Sequence, residues 1–360
     1  MRKSILQLTV LLAAVATGTT TAQGQRPRGP RQAFKTDTVM VHDPVMAYDD
    51  GTYYLLSTGR GIQWATSTDR KTWTVQPTPF IKDIPQWTYD SVPGFRGHVW
   101  APDIIRKDSL WWLAYSCSTF GRNTSAIGLM AADKLAGPWR DCGPVVCSKE
   151  WRRNTATGGM EGDNWNAIDP CFVIDGDGTP WLAWGSFWDG IQLACLDHTM
   201  HLAGEPVTIA RRVALRDTLR AEPNPTSKHA GRNAIEAPFI FRHGDYYYLF
   251  VSWDYCCRGE KSTYRVAVGR SRQVAGPYVD REGRDMRQGG GTIVVEGDKR
   301  EYEAVGHCAA YHFPSAQPSQ EGEGDGEDLF ICHGYYLPMR GASILIQRTM
   351  QWSDDGWPTL

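Results

Sequence analysis

Three carboxylates stand beside prolines at widely separated points of the chain: Asp43 before Pro44, Asp169 before Pro170, and Glu236 two residues before Pro238. Carboxyl groups brought together can split a glycosidic bond, one protonated to assist the leaving oxygen and one ionised to act as base or nucleophile on the opposite face. Crowding drives their pKa values apart, which keeps one protonated beside an ionised neighbour. Met singly, an Asp before Pro is more often a turn or strand cap, so it is recurrence at matching places that lifts these three above that reading. His307 would be a structural histidine if it stood alone; facing the same acids, it becomes a candidate metal ligand or a tuner of one acid. Asp175 and Asp177 belong to a hairpin turn, lacking the twelfth-position Glu of a calcium-binding loop, and Asp103 also keeps a structural reading.

The acids recur because the chain does. Pro44, Pro102, Pro170 and Pro238 stand 58, 68 and 68 residues apart. Each is followed by a short apolar run, a Gly or Asp turn and an aromatic-rich segment such as Trp111-Trp112-Leu113 or Tyr246-Tyr247-Tyr248-Leu249. A fifth unit without the proline starts at Gly306-His307. Alternating apolar residues around turns such as Asp49-Asp50-Gly51 are a hairpin signal, and no segment sustains a 3.6-residue period. Four short strands per unit, five units and no helical connections predict an all-β five-bladed β-propeller rather than a sandwich, because radial repetition explains the spacing. Innermost strands of propeller blades line a central channel, so Asp43, Asp169, Glu236 and His307 should converge there from four blades. Trp100 and Phe120, in the second unit, can offer aromatic faces to a sugar ring, while most other Trp and Tyr should fill the blades.

With 38 basic and 40 acidic residues and a pI near 6.5, the chain lacks the basic surface that phosphate neutralisation requires, so nucleic acid is not an expected partner. Residues 1–22 read as a signal peptide, with Arg2 and Lys3 ahead of a short apolar stretch, and 23–35 as a flexible lead-in before a catalytic domain spanning 36–360. No later segment is apolar enough to be a transmembrane span, so a secreted or periplasmic protein is expected, as a monomer. Nine cysteines are too few for a disulfide scaffold in a chain of this length and, being odd in number, leave at least one unpaired or paired outside the chain. The adjacent pair Cys256-Cys257 reads either as two small core residues or as a vicinal disulfide. Ser319 to Asp328 reads as an acidic surface loop. Asn123-Thr124-Ser125 matches a glycosylation sequon of the kind that arises by chance, and the chain has no nucleophile elbow, P-loop, dinucleotide fingerprint or zincin motif.

The motifs resemble those of the arabinan-degrading members of glycoside hydrolase family 43. The resemblance runs through His42-Asp43-Pro44, Gly97-His98-Val99-Trp100-Ala101-Pro102-Asp103-Ile104, Asn166-Ala167-Ile168-Asp169-Pro170, Trp184-Gly185-Ser186-Phe187-Trp188, Ile235-Glu236-Ala237-Pro238, Tyr255-Cys256-Cys257-Arg258-Gly259, Gly289-Gly290-Gly291-Thr292 and Gly306-His307. It implies a five-bladed propeller that cleaves α-1,5-linked arabinofuranose in arabinan or arabino-oligosaccharides, endo-acting and inverting. It also implies roles: Asp43 as general base, Glu236 as general acid, Asp169 as the carboxylate that orients that acid and raises its pKa, and His307 beside a calcium ion. Trp100, Phe120, Asn166, Ser186 and Phe187 are then the substrate contacts. The alternatives are an exo-acting α-L-arabinofuranosidase or β-xylosidase of the same family, or a sugar-binding propeller without catalysis.

Overall fold

Val45–Asp49 turns at Asp50-Gly51, where both residues take positive φ (+45° and +75°), and returns as Thr52–Ser57. Two successive left-handed residues match the right-handed twist of a hairpin, which is why Asp-Gly occupies the turn. Gln63–Ser67 and Trp73–Val75 complete an antiparallel blade. The pattern repeats with blade 2 (His98–Lys107, Leu110–Cys117, Ser125–Ala132, Arg140–Ser148), blade 3 (Cys171–Ile174, Pro180–Trp184, Ile191–Cys195, Val207–Ala210), blade 4 (Ile235–His243, Tyr246–Trp253, Arg265–Ser271, Thr292–Glu296) and blade 5 (Tyr302–Phe313, Glu327–Tyr336, Ala342–Thr349). These elements come from a computed structural model that describes residues 32–214, 233–313 and 326–360. The expected signal peptide and most of the lead-in and acidic tract lie outside the described residues, although Glu327 and Asp328 already belong to a strand.

The first strand of every blade touches the first strands of the blades on both sides, the fifth meeting the first, so the ring closes as the repeat predicts. Large side chains fill the seams: Trp73, Tyr115, Trp184, Tyr248, Phe250 and Phe330 are fully buried. Blade 5 supplies only three strands of its own. Its fourth comes from the other end of the chain, where Leu345 N donates to Val39 O (2.9 Å) and Val41 N to Ser343 O (3.2 Å). Just upstream, Phe34–Thr36, which straddles the end of the expected lead-in, pairs with Trp73–Val75 at the outer edge of blade 1. The N-terminal segment therefore stitches the first blade to the last. The α-helix Gln86–Ser91, between blades 1 and 2, is too short to give a periodic sequence signal.

Candidate active site

The repeat places one unusual residue at the axial end of each blade's first strand. Asp43, Ala101, Asp169, Ala237 and His307 all have left-handed backbones, with φ of +56°, +38°, +58°, +53° and +49°. Blades 2, 4 and 5 show why: the ladder runs from Trp100–Ser116 to Asp103–Ala114, from Glu236–Ser252 to Phe239–Phe250 and from Gly306–His333 to Ala309–Ile331, two residues opposite one each time. Each is a β-bulge, which re-aims side chains at the end of a strand. A non-glycine residue in this region stores about 1–3 kcal/mol of strain and persists only where its surroundings over-determine it.

The surroundings here are a ring of hydrogen bonds. Ala101 N donates to Thr58 Oγ1 (2.8 Å), Asp169 N to Ser116 Oγ (3.0 Å), Ala237 N to Asp169 Oδ2 (3.1 Å), His307 N to Ser252 Oγ (2.8 Å) and Asp43 N to His333 Nδ1 (3.1 Å). Each bulge is thus pinned by a side chain of the preceding blade, blade 1 taking its pin from blade 5. In four cases the acceptor is on or just after the preceding blade's second strand. Blade 3 has Gly185 at that place, and a Cβ there would meet Gly190 O at 2.5 Å. Asp169 fills the gap instead.

These bulges bring Asp43, Asp169, Glu236 and His307 together, each buried to within 9% of full exclusion from solvent. Asp43 Oδ1 faces His42 Nδ1 (2.7 Å) and His307 Nδ1 (3.0 Å), and Oδ2 accepts from Thr58 Oγ1. Burial would raise its pKa, but the two imidazoles outweigh it and hold the carboxyl well below the usual carboxylate range. Reciprocally, burial disfavours charge on His42 and His307, yet Asp43 raises both. Glu236 accepts from Tyr264 Oη on Oε1 (2.8 Å) and from Ser186 Oγ on Oε2 (2.9 Å). Burial nonetheless raises its pKa, the two hydrogen bonds only moderating the shift. Asp169 is pushed up to about 8, first by burial, with the neighbouring Glu236 and Asp43 carboxylates adding to it. The cluster thus pushes its carboxyl pKa values apart, Asp43 downwards and Glu236 and Asp169 upwards, the kind of separation acid–base cleavage uses.

Of the candidate contacts, Ser186 joins the cluster directly. Trp100 is half-buried at the position matching Glu236 in its own repeat, with Nε1 donating to His98 Nδ1 (3.1 Å). Phe120, 69% exposed, is on the loop that leaves the end of the strand carrying Ser116. Asn166 is buried and accepts from Ser125 Oγ (2.7 Å), while Phe187 is buried in a small apolar cluster with Trp188 and Ala234. Asp103 keeps its structural part: buried, pushed up to about 7 by that burial, it accepts from Phe172 N at 2.6 Å. Asn123 of the sequon is buried too, its Nδ2 donating to Asp163 O (2.7 Å) and Trp165 O (2.9 Å). Cys256 and Cys257 are free thiols: the first is partly buried and packs against the small cluster of Tyr264, Ala304 and Tyr335, and the second is exposed.

Sequence reasoning missed Thr58, His333 and Tyr264, and quoted His42 without a role. His333 is fully buried, its ring centroid 4.0 Å from that of His42 with the planes tilted by 31°, and burial together with the neighbouring His42 holds its pKa well below the usual histidine value. Calcium ordinarily takes six to eight oxygen ligands. With Nδ1 turned to Asp43, His307 has only Nε2 to offer, and no group of three ligating atoms that includes it converges among the described residues. The residues fit only an ion that keeps most of its water.

A family model described as Glycosyl hydrolases family 43 matches residues 38–358. An extracellular exo-α-(1→5)-L-arabinofuranosidase of Cellvibrio japonicus is 40% identical over 331 residues, covering 89% of this chain and 86% of its own. An extracellular endo-α-(1→5)-L-arabinanase of Bacillus subtilis is 37% identical over 326 residues, covering 89% and 87%. Among solved structures, an exo-1,5-α-L-arabinanase from a bovine ruminal metagenomic library superposes with a TM-score of 0.78 at 48% identity, covering 90% of this chain and 97% of that one.

Proposed function

The chain belongs to glycoside hydrolase family 43, and on that premise we propose that it hydrolyses α-1,5-linked arabinofuranose in arabinan and arabino-oligosaccharides by a single inverting displacement. The observation that carries this reading is the pairing, in one buried cluster, of Asp43, whose carboxyl two imidazoles hold well below the usual range, with Glu236, whose carboxyl burial pushes up. Asp43 takes a proton from the water that attacks the anomeric carbon. Glu236 gives its proton to the departing glycosidic oxygen. Asp169 orients the acid by fixing the peptide next to Glu236, accepting a hydrogen bond from Ala237 N. Endo attack is the reading the sequence motifs favour; exo attack is the second, favoured by the likeness to the two exo-acting proteins.

The test is debranched linear arabinan. Glu236→Ala should lose about 10²–10⁴ in rate with an unchanged circular dichroism spectrum, and a variant that hydrolyses at near the parent rate refutes the assignment. The parent's early products decide the mode: mixed oligomers for endo attack, a single size for exo.

Calcium belongs to the same reading: His307 Nε2 would hold a largely hydrated ion, which when bound supplies positive charge beside the carboxylates. Elemental analysis of the purified protein should find about one calcium per chain, and none after dialysis against calcium-containing buffer would remove the ion from the account. Export fits the extracellular relatives, and no helix among the described residues is long and apolar enough to cross a membrane; that the exported chain is a monomer is part of the same proposal.

A further inference from the structure

The rim of the cluster carries ligating groups that hydrolysis does not use. Cys256 and Cys257 follow the second strand of blade 4, Tyr246–Trp253, and Cys257 takes a left-handed φ of +60°. Their Sγ atoms lie 3.1 Å apart, and Cys257 Sγ is 3.6 Å from His42 Nε2. All three ligating atoms fall within 4.8 Å of one another. Tyr335 Oη shares the spot, 3.0 Å from His42 Nε2, and accepts from Cys257 N at 2.6 Å.

We infer that Cys256 Sγ, Cys257 Sγ and His42 Nε2 form a site for a thiophilic divalent metal ion of the zinc class, and that filling it shuts the neighbouring active site down. Tetrahedral zinc, with bonds of roughly 2.3 Å to sulfur and 2.0–2.1 Å to nitrogen, places sulfur and nitrogen about 3.6 Å apart and two sulfurs about 3.8 Å apart. The Cys257–His42 separation already matches. The two sulfurs need to open by roughly 0.7 Å, which rotation of the exposed Cys257 side chain can supply. Thiolate and imidazole are the donors a soft ion prefers to the carboxylates nearby, and Tyr335 or water completes the shell. The protons of both thiols leave to solvent as the metal binds, so affinity rises with pH.

His42 is what links the site to catalysis. With a metal on Nε2, its remaining proton sits on Nδ1 and points at Asp43 Oδ1, 2.7 Å away, forming a carboxylate–histidine–metal series. That draws charge from the general base and leaves the ion at the mouth of the cleft. The activity half of the inference rests on the proposed hydrolysis; the binding half does not.

The experiment uses the full chain, reduced with a phosphine and stripped with EDTA, then titrated with Cd²⁺. The thiolate-to-cadmium ultraviolet band should rise to one equivalent, and Zn²⁺ should lower arabinan hydrolysis by about tenfold or more, reversibly with EDTA. Cys257→Ser and the double variant Cys256→Ser/Cys257→Ser should lose both responses while keeping metal-free activity. A cadmium band that survives in the double variant, or none in the parent with its thiols shown free, overturns the site. Peptide mapping that finds a Cys256–Cys257 disulfide in protein purified without reductant overturns it as well. A band lost from the double variant while zinc inhibition persists removes the control of activity, and a parent inactive on arabinan that still gives the band refutes the hydrolase reading alone.

Discussion

Asp43 and Glu236 are both buried carboxyls, and their difference lies wholly in their neighbours. Asp43 meets two imidazoles and a hydroxyl, so its charged form is favoured; Glu236 meets a phenol and a hydroxyl, whose hydrogen bonds only partly offset its burial. Activity should therefore fall on the acid side as Asp43 gains a proton and on the alkaline side as Glu236 loses one. Tyr264 Oη stabilises the ionised form of Glu236, so Tyr264→Phe should raise that residue's pKa and move the alkaline limb of kcat/KM to higher pH. An alkaline limb that stays put or moves down would show that Tyr264 does not set the acid's pKa. The acids were legible in the sequence because each stands beside a proline in a repeat. Tyr264 and His333 were not, since nothing in a Ser-Thr-Tyr or Cys-His-Gly run says which face of a strand meets the axis.

The bulge and its pin form the element that turns a strand end into a site. Ser252 is fully buried, and its hydroxyl is the acceptor for His307 N. Ser252→Ala leaves that N–H buried without a partner, which should cost about 1–3 kcal/mol of stability by urea unfolding and also lower activity by loosening His307. A change of only a few tenths of a kcal/mol would show that water replaces the pin. The prolines at 44, 102, 170 and 238 mark four of the five bulges, which makes the propeller readable from the sequence. The pins were hidden: their acceptors lie 43 to 68 residues upstream, or 290 downstream for blade 1, and only strand register brings them into place. The repeat also suggested that the fifth blade was complete in itself. Its fourth strand is residues 39–41, too short and too near the N-terminus to be recognised as part of blade 5.

At the scale of the molecule, the ring is held shut by that borrowed strand. Val41 is 4% exposed, whereas Phe34, at the outer edge of blade 1, is 59% exposed. Val41→Asp should lower the stability of the whole ring by about 3 kcal/mol, through lost apolar burial and a charge forced inside. Phe34→Asp should stay within about 0.5 kcal/mol, and thermal melting of the two variants compares them directly. Equal losses would mean that the seam between blades 5 and 1 does not hold the ring closed. The pins have a direction as well, because every blade depends on its predecessor for the geometry of its axial residue. A blade replaced by recombination would bring its own acceptor but would meet a foreign one at its bulge, and it would present a foreign acceptor to the blade after it. At four of the five junctions the interchangeable part of this protein is therefore offset from the visible blade: it runs from the second strand of one blade through the first strand of the next, and crossovers placed inside those sheets should preserve the cleft better than crossovers placed between them. At blade 3, whose pin Asp169 precedes its first strand, the unit must start before that strand.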